Sequence, residues 1–249
     1  MTSACIQKIK ILGTILDRVD YDGALRKIEG FLKNSGTAVI VTPNAEIIMA
    51  AKKNEALKGA VNGADLRFPD GIGVMLASRI IGNPLFGRTA GFDLMMKMLE
   101  MAARRNLSVF LLGGKPGVAE DAASNIKARF PGIIIAGAHH GYFDESSEGR
   151  IIEMINGSGA RILLVAMGAP KQEIFMIRNR EKLKCSVAMG VGGSLDVLAG
   201  RVHRAPVFMQ KAGLEWLYRL VTQPKRIKRM SVLPLFLVEV MLDRFRQFK

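Results

Sequence analysis

Several features are scarce or absent in this 249-residue sequence, and each absence excludes a class of protein. Two cysteines, Cys5 and Cys185, are too few for a disulfide framework and agree with a reducing compartment. There is no run of about 18 apolar residues that could span a bilayer. The N-terminus lacks a signal-peptide pattern, since its apolar stretch 11–16 is short and contains Gly13 and Thr14. We expect a cytoplasmic protein that meets a membrane only at its surface.

Acidic residues are outnumbered as well. The chain has 22 Asp and Glu against 36 Lys and Arg, which gives a net charge of +14 at pH 7. Such a charge implies an anionic partner, which is a nucleic acid, an acidic membrane or a phosphorylated substrate. Residues 201–249 carry eleven Lys and Arg and three Asp and Glu, a net charge of +8. The positive charge is therefore concentrated in this C-terminal tail.

What is present is a globular composition, 49% hydrophobic and 23% charged, in which apolar runs alternate with helical patterns. Strands alternating with helices of 10–15 residues indicate βαβ units and a parallel sheet. We predict an α/β fold with a mainly parallel, Rossmann-like sheet and helices on both faces, divided into a catalytic domain 1–200 and a basic, helical C-terminal appendage 201–249. The predicted strands are 9–16, 38–41, 107–112, 133–136, 161–166 and 186–191, and the predicted helices are 22–33, 45–61, 91–105, 118–130, 147–155 and 171–184.

Polar motifs follow three apolar, strand-like runs: residues 42–46 follow 38–41, residues 69–73 follow 66–68, and residues 168–173 follow 162–166. An open α/β sheet binds ligands beyond the carboxyl ends of its strands, so these motifs are expected to converge.

Asp70 lies between Pro69 and Gly71, on a constrained turn at a strand end. A carboxylate held there can act as a general base. The alternative is an Asp that caps a helix beginning near Ile72.

Two glycine-rich turns, 113–117 and 190–196, also follow predicted strands. Glycine lets backbone N–H groups approach a phosphate, and the start of the next helix adds a favourable dipole. The alternative is a simple turn that begins a helix, which needs glycine and proline too. Two such turns at the edge of one sheet favour nucleotide binding.

A metal site has little support. Asp20-Tyr21-Asp22 has the acidic-x-acidic pattern that sugar-nucleotide enzymes use for a divalent ion, but it directly precedes a helical stretch, where Asp is the expected cap. His139 and His140 are adjacent, a spacing that does not place both on one helical face. We predict no metal.

The tail combines basic clusters with apolar and aromatic residues over 206–222, 225–229 and 232–242. This pattern is typical of an interfacial segment attracted to anionic lipid. The alternative is a helical hairpin that packs on the core or on another subunit, so a homo-oligomer remains open.

The motifs together resemble the WecG/TagA/CpsF glycosyltransferase family, also called glycosyltransferase family 26, from about residue 9 to the C-terminus. The motifs that carry the resemblance are Thr42-Pro43-Asn44, Pro69-Asp70-Gly71-Ile72-Gly73, Arg88-Thr89-Ala90-Gly91, Leu112-Gly113-Gly114, Gly168-Ala169-Pro170-Lys171-Gln172-Glu173 and Gly190-Val191-Gly192.

The resemblance implies transfer of a sugar, with inversion, from a UDP-sugar to a polyprenyl-diphosphate-linked sugar at the cytoplasmic face of the membrane, with neither cofactor nor obligatory metal. The branch that the chain is most similar to moves N-acetylmannosamine from UDP-ManNAc onto undecaprenyl-diphosphate-GlcNAc in a β-1,4 linkage, in teichoic acid synthesis. Relatives use other donors, such as UDP-N-acetylmannosaminuronic acid or UDP-glucose, so the donor stays open.

The resemblance also implies roles for single residues. Asp70 is the expected base, and the appendage is expected to close over the site and touch the membrane. The other implied residues are Thr42, Asn44, Arg88 and Gln172 for positioning sugars and phosphates, and Arg219, Arg226 and Arg229 for the lid. From the glycine-rich turns we also predict that UDP binds near Gly113, Gly114, Gly192 and Asp196, with Tyr142 nearby.

Two readings from other classes compete with this one. A nucleic-acid-binding protein could use the basic tail, but the Phe, Leu and Val content of the tail favours lipid, and no nucleic-acid-binding motif is present. A non-catalytic scaffold would require all the strand-end motifs to be idle.

Overall fold

The computed structural model describes residues 6–87, 89–222 and 232–247. Its centre is a sheet of six parallel strands in the order β4-β3-β8-β7-β5-β6. The predicted parallel α/β architecture is therefore confirmed. The strands of this sheet are β3 (Ala38–Val41), β4 (Leu66–Arg67), β5 (Ser108–Gly113), β6 (Ile134–His139), β7 (Ile162–Ala166) and β8 (Val187–Gly190).

Helices cover both faces of the sheet, as predicted. Side chains of the strands alternate between two cores: Leu111 and Leu164 face one, whereas Phe110 and Leu163 face the other. The helices are α1 (Tyr21–Phe31), α2 (Ala45–Ala51), α3 (Glu55–Asn62), α4 (Ile72–Ile80), α5 (Gly91–Arg104), α6 (Val118–Arg129), α7 (Glu148–Gly157), α8 (Lys171–Arg178), α9 (Ser194–Leu198), α10 (Val207–Lys211), α11 (Glu215–Thr222) and α12 (Val232–Gln247).

The predicted single strand 9–16 is wrong, because this segment forms an antiparallel hairpin of β1 (Lys8–Ile11) and β2 (Thr14–Asp17). Leu12 and Gly13 form the turn with φ of 47° and 84°. Two successive residues with positive φ are typical of the tight turns that match the twist of a hairpin.

The predicted helix 45–61 is also wrong, because it is broken into α2 and α3. Asn54 begins α3 as its cap, with the side-chain oxygen accepting the N–H of Leu57 at 3.0 Å. An Asn in this position competes with the helical backbone and favours a new start. The predicted helix 171–184 ends early, at Arg178, and the buried Asn179 follows it.

The last helix, α12, belongs to a third core beneath the β1–β2 hairpin. Phe236 and Val240 are buried there against Ile48 of α2 and Val74 of α4. Part of the predicted appendage thus completes the hydrophobic core, while the division at residue 200 stays a prediction. None of the helices in the described ranges combines the length and the apolar character needed to cross a membrane.

Candidate active site

A cavity of about 410 Å³ lies at the carboxyl ends of β3, β4, β7 and β8, with the appendage on its outer side. The open edge of an α/β sheet is the expected place for a ligand. The cavity brings together six of the residues predicted from the sequence, which are Thr42, Asn44, Asp70, Gln172, Gly192 and Asp196.

Asp70 lies on the turn between β4 and α4, and three hydrogen bonds to backbone groups of other segments fix this turn and the Asp70 side chain. Its N–H donates to the carbonyl of Pro43 at 3.0 Å, and the next N–H, of Gly71, donates to the carbonyl of Thr89 at 3.1 Å. The carboxylate oxygen Oδ1 accepts the N–H of Gly91 at 2.9 Å. Because Gly91 is the first residue of α5, Asp70 binds the start of α5 and holds its carboxyl group in the cavity wall.

The alternative role, in which Asp70 caps the helix beginning near Ile72, is therefore wrong. The cap of α4 is Gly71, with φ of 86°, and no side chain hydrogen-bonds there. Glycine is favoured at this position because a side chain strains the left-handed backbone.

Thr42 connects the ends of β3, β8 and α5. Its hydroxyl donates to the carbonyl of Gly190 at 3.4 Å. A Cβ on Gly91 would lie 2.9 Å from Cγ2 of Thr42, so the close packing of these two residues needs glycine. Thr42 thus fixes the position of the helix start that binds Asp70.

Asn44 has a helix-capping role in addition to its place in the cavity. Its side-chain oxygen accepts the N–H of Ile47 at 3.0 Å at the beginning of α2. The sequence prediction assigned this residue to substrate positioning, and the structure adds the capping contact, which is worth about 1 kcal/mol of stability.

Gln172 lies on α8 with its side-chain amide in one defined orientation. The oxygen Oε1 accepts the N–H of Gly192 at 3.0 Å, and Nε2 donates to Oε1 of Glu173 at 2.8 Å. Gly190 makes room for this amide, because a Cβ there would lie 2.9 Å from Nε2. The N–H of Gly192, predicted as a phosphate donor, is therefore already bound to Gln172.

Glu173 is fully buried directly beside the cavity. Its oxygen Oε2 has no hydrogen-bond partner within the described part of the chain. Burial raises the pKa of this carboxyl group, and the hydrogen bond from Gln172 offsets only part of the effect. The sequence prediction included Glu173 in a motif without giving it a role, although an acidic residue after a buried strand is a signal that could have been used.

Gly113, Gly114 and Tyr142 are not among the described residues that line the cavity. Packing explains the two glycines: a Cβ on Gly113 would lie 2.4 Å from the carbonyl oxygen of Ala166, and one on Gly114 would lie 2.6 Å from Val118. Tyr142 is exposed on the loop after β6. The role of these three residues in UDP binding stays a prediction.

Asp20 caps α1, as the sequence favoured. Its Oδ1 accepts the N–H of Gly23 at 2.7 Å. The rings of His139 and His140 lie 4.3 Å apart, and Nδ1 of His139 contacts the carbonyl of His140. The expected absence of a metal stays a prediction.

On the appendage side, Arg204 is a cavity residue that the sequence prediction missed. It contacts Asp93 of α5 at 2.6 Å and Glu215 of α11 at 3.7 Å, and its guanidinium lies 4.5 Å from the ring centre of Phe92. Burial alone lowers the pKa of Arg204, but Asp93 and Glu215 raise it above its ordinary value. Arg204 thus joins the appendage to the sheet domain. Nothing in the sequence separated it from the other basic residues of the tail.

Among the predicted arginines, Arg88, Arg226 and Arg229 lie outside the described residues, and Arg219 lies in α11. Among the predicted residues, the described site therefore presents the carboxylates of Asp70 and Asp196, one hydroxyl and two amide side chains around a pocket of substrate size. These groups can accept a proton and hydrogen-bond a polar substrate.

Comparison with known proteins identifies the family of the chain. The chain matches the Glycosyl transferase WecG/TagA/CpsF family over residues 9–249. It is 39% identical over 211 residues to an N-acetylglucosaminyldiphosphoundecaprenol N-acetyl-beta-D-mannosaminyltransferase of Bacillus spizizenii, covering 85% of this chain and 81% of that relative.

Proposed function

Because the chain belongs to the WecG/TagA/CpsF glycosyltransferase family, we propose that it moves N-acetylmannosamine from UDP-ManNAc to undecaprenyl-diphosphate-linked GlcNAc. The product is a β-1,4-linked disaccharide on the lipid carrier, formed with inversion for a cell-wall polymer such as teichoic acid. The observation that supports this proposal best is the Asp70 carboxylate, held in the cavity wall by Gly91 and sharing that cavity with Gln172 and Asp196.

In the proposed reaction Asp70 takes the proton of the attacking hydroxyl of GlcNAc. The hydroxyl oxygen forms a bond to the anomeric carbon of ManNAc on the face opposite to UDP. The bond from that carbon to the UDP oxygen breaks, and UDP leaves with the electron pair. An inverting displacement needs one carboxylate on the side of the acceptor, which is the role given to Asp70.

Thr42, Asn44 and Gln172 position the sugars and phosphates in this proposal. Each of them also makes a fixed contact within the protein, with Gly190, Ile47 and Gly192 respectively. Such contacts pre-organise polar groups before the substrate arrives, which reduces the cost of ordering them in the transition state.

The leaving UDP carries negative charge that must be balanced. We assign this role to Arg219, Arg226 and Arg229, which the family resemblance implies, without cofactor or metal, whereas Arg88 positions the sugars and phosphates. Gly113, Gly114 and Tyr142 stay part of the proposed nucleotide site, because β5 ends beside β7 at the edge of the sheet that carries the cavity.

The proposed location is the inner face of the cytoplasmic membrane, as a peripheral protein. In α10 and α11, Phe208 and Val221 are 71% and 74% exposed, although they are large and apolar. Exposed apolar side chains within a basic segment suit an anionic lipid surface, where each basic residue contributes about 1 kcal/mol at low salt.

A donor panel tests the function. The purified protein is incubated with a short-chain lipid-diphosphate-GlcNAc acceptor and one donor per reaction. The donors are UDP-ManNAc, UDP-N-acetylmannosaminuronic acid and UDP-glucose, and the products are identified by mass. We expect a product with UDP-ManNAc alone. A product with another donor would replace the donor assignment, whereas no product with any donor would reject the proposal. A DNA shift assay beside liposome flotation, at the same salt, tests the nucleic-acid-binding alternative.

A further inference from the structure

We propose that Glu173 is a positioning residue, which sets the orientation of the Gln172 amide at the wall of the active site. This inference rests on the proposed function, since Gln172 is given a substrate-positioning role there. Glu173 itself touches no substrate in this proposal and acts only through Gln172.

The contacts of Gln172 define one orientation of its amide. Oε1 accepts from the backbone N–H of Gly192, and Nε2 donates to Glu173. The two ends of an amide group differ in that one accepts and the other donates, so a donor on one side and an acceptor on the other specify which way it points. Without the Glu173 acceptor, the Nε2 end would lose its partner in a buried setting, and a flipped or rotated amide would compete.

The cost of burying Glu173 indicates that it serves a purpose other than stability. Its side chain is 0% exposed, and Oε2 lacks a hydrogen-bond partner among the residues that the structure describes. No ion pair of Glu173 occurs in those residues either. A buried carboxyl group without a cation destabilises the folded state relative to an apolar residue of the same shape.

Protonation does not remove the positioning contact. A neutral carboxylic acid keeps a carbonyl oxygen that accepts from Nε2 of Gln172. Glutamine at position 173 would offer the same acceptor, whereas leucine fills a similar volume without one. The pair of substitutions therefore separates the hydrogen bond from the packing.

The backbone at the end of β8 connects the Gln172 amide to Thr42, another residue of the cavity. Gly190 lacks a side chain where Nε2 of Gln172 lies, and the carbonyl of the same residue accepts from Thr42. Glu173, Gln172 and Thr42 are thus connected through the end of β8. A reoriented Gln172 amide would disturb both the Gly192 contact and this strand end.

A double-mutant cycle tests the proposal. The value of kcat/KM for transfer of ManNAc to the short-chain acceptor is measured for the wild type, Glu173→Leu, Gln172→Ala and the double variant, with the thermal midpoint recorded for each. We expect Glu173→Leu to lower kcat/KM roughly tenfold in the wild type and less than about twofold in the Gln172→Ala background. Glu173→Gln should restore most of the activity. Equal, multiplicative losses in both backgrounds would overturn the proposal.

Glu148 provides the matched control. It also accepts from a buried amide, that of Asn179, at 2.8 Å, and it is not among the described residues of the cavity wall. Glu148→Leu should lower the thermal midpoint. Its effect on kcat/KM should be the same in the wild-type background and in the Gln172→Ala background. If the double-mutant cycle gave a coupling between Glu148 and Gln172 as large as the coupling between Glu173 and Gln172, the proposal would also be overturned.

A second measurement tests the hydrogen bond between Gln172 and Glu173 directly. It requires neither transferase activity nor a Glu173→Leu variant that folds. Selective 15N labelling of the five glutamines gives few side-chain signals, and Gln172→Asn identifies the one of interest. We expect the side-chain amide protons of Gln172 to exchange slowly with water, as in a buried hydrogen-bonded amide. Rapid exchange with water would contradict Glu173 as the partner. If the wild type transfers no sugar, the proposed function fails, while this measurement still tests the hydrogen bond between Gln172 and Glu173.

Discussion

The carboxylate of Asp70 accepts the backbone N–H of Gly91 at 2.9 Å, across 21 residues of sequence. This bond ties the turn after β4 to the first residue of α5, whereas the helix that directly follows Asp70 begins without a side-chain cap. Gly91 in turn packs closely on Thr42. The position of the proposed base therefore depends on three separate segments of the chain.

Replacing Asp70 with Asn should lower kcat by about two to four orders of magnitude, because the amide cannot take the proton of the acceptor hydroxyl. The amide oxygen can still accept from Gly91, so we expect the thermal midpoint and UDP affinity to change little. Steady-state kinetics and calorimetry measure these quantities. Asp20→Asn is the control, since Asp20 also accepts a backbone N–H at a helix start, at 2.7 Å. Near wild-type turnover in Asp70→Asn would exclude Asp70 as the base.

Transfer should survive removal of divalent metal ions. Asp20, the acidic residue with the most metal-like sequence pattern, is used as the cap of α1. We expect the initial rate in excess EDTA to equal the untreated rate within about twofold. Loss of activity that manganese or magnesium restores would require a metal-assisted mechanism in place of the arginines.

The stability of the protein should depend on pH through Glu173. Its folded-state pKa is raised above 4.5 by burial, so between 4.5 and the raised value the folded protein holds a proton that the unfolded chain has released. The free energy of unfolding therefore falls as pH rises through this window. Glu173→Gln does not titrate, so its stability relative to wild type should increase with pH. Denaturant unfolding between about pH 4 and pH 8 checks this, and a constant difference would contradict it.

Two phenylalanines of α12 should differ sharply in their contribution to stability. Phe236 is 0% exposed in the third core, whereas Phe245 in the same helix is 72% exposed. We expect Phe236→Ala to lower the free energy of unfolding by about 3–5 kcal/mol because it leaves a cavity. Phe245→Ala should change it by less than about 0.5 kcal/mol. Urea unfolding compares the two, and equal losses would show that α12 does not pack as described.

Membrane binding should depend on the exposed apolar residues of α10 and α11. The double variant Phe208→Asp and Val221→Asp should float poorly with anionic liposomes, because two charged groups would replace apolar side chains that enter the interface. Met154→Asp, at an exposed apolar position of α7, is the control and should float like the wild type. The double variant should keep its activity on a short, water-soluble acceptor. Undiminished flotation would place the membrane contact elsewhere.

Much of the fold could be predicted from the sequence, because the buried strands are short apolar runs and the helices carry regular apolar stripes. The predicted secondary structure was wrong where a turn or a helix cap interrupts a longer hydrophobic pattern. Leu12 and Gly13 turn one apolar run into a hairpin, and Asn54 divides one helical stretch into two. A side-chain cap or a turn of two residues changes the backbone without changing the hydrophobic period.

The site was predictable where its residues belong to motifs that follow strands, as those of Thr42, Asp70 and Gln172 do. The structure brings these residues to one cavity because their strands end at one edge of the sheet. Arg204 and the contact of Asp70 with Gly91 were not predictable, since both depend on packing between segments distant in sequence. The glycines at 113 and 114 have tertiary packing reasons that the sequence could not separate from ligand binding.

The packing of α12 onto α2 and α4 has a consequence for the order in which the protein is made. Both of these helices begin next to proposed site residues, Asn44 and Asp70, and leave the ribosome long before residues 232–247 are synthesised. Until then, the apolar side chains that Phe236 and Val240 later cover remain in contact with water or with a chaperone. The helices that begin beside the proposed active site therefore complete their packing only after residues 232–247 have been synthesised.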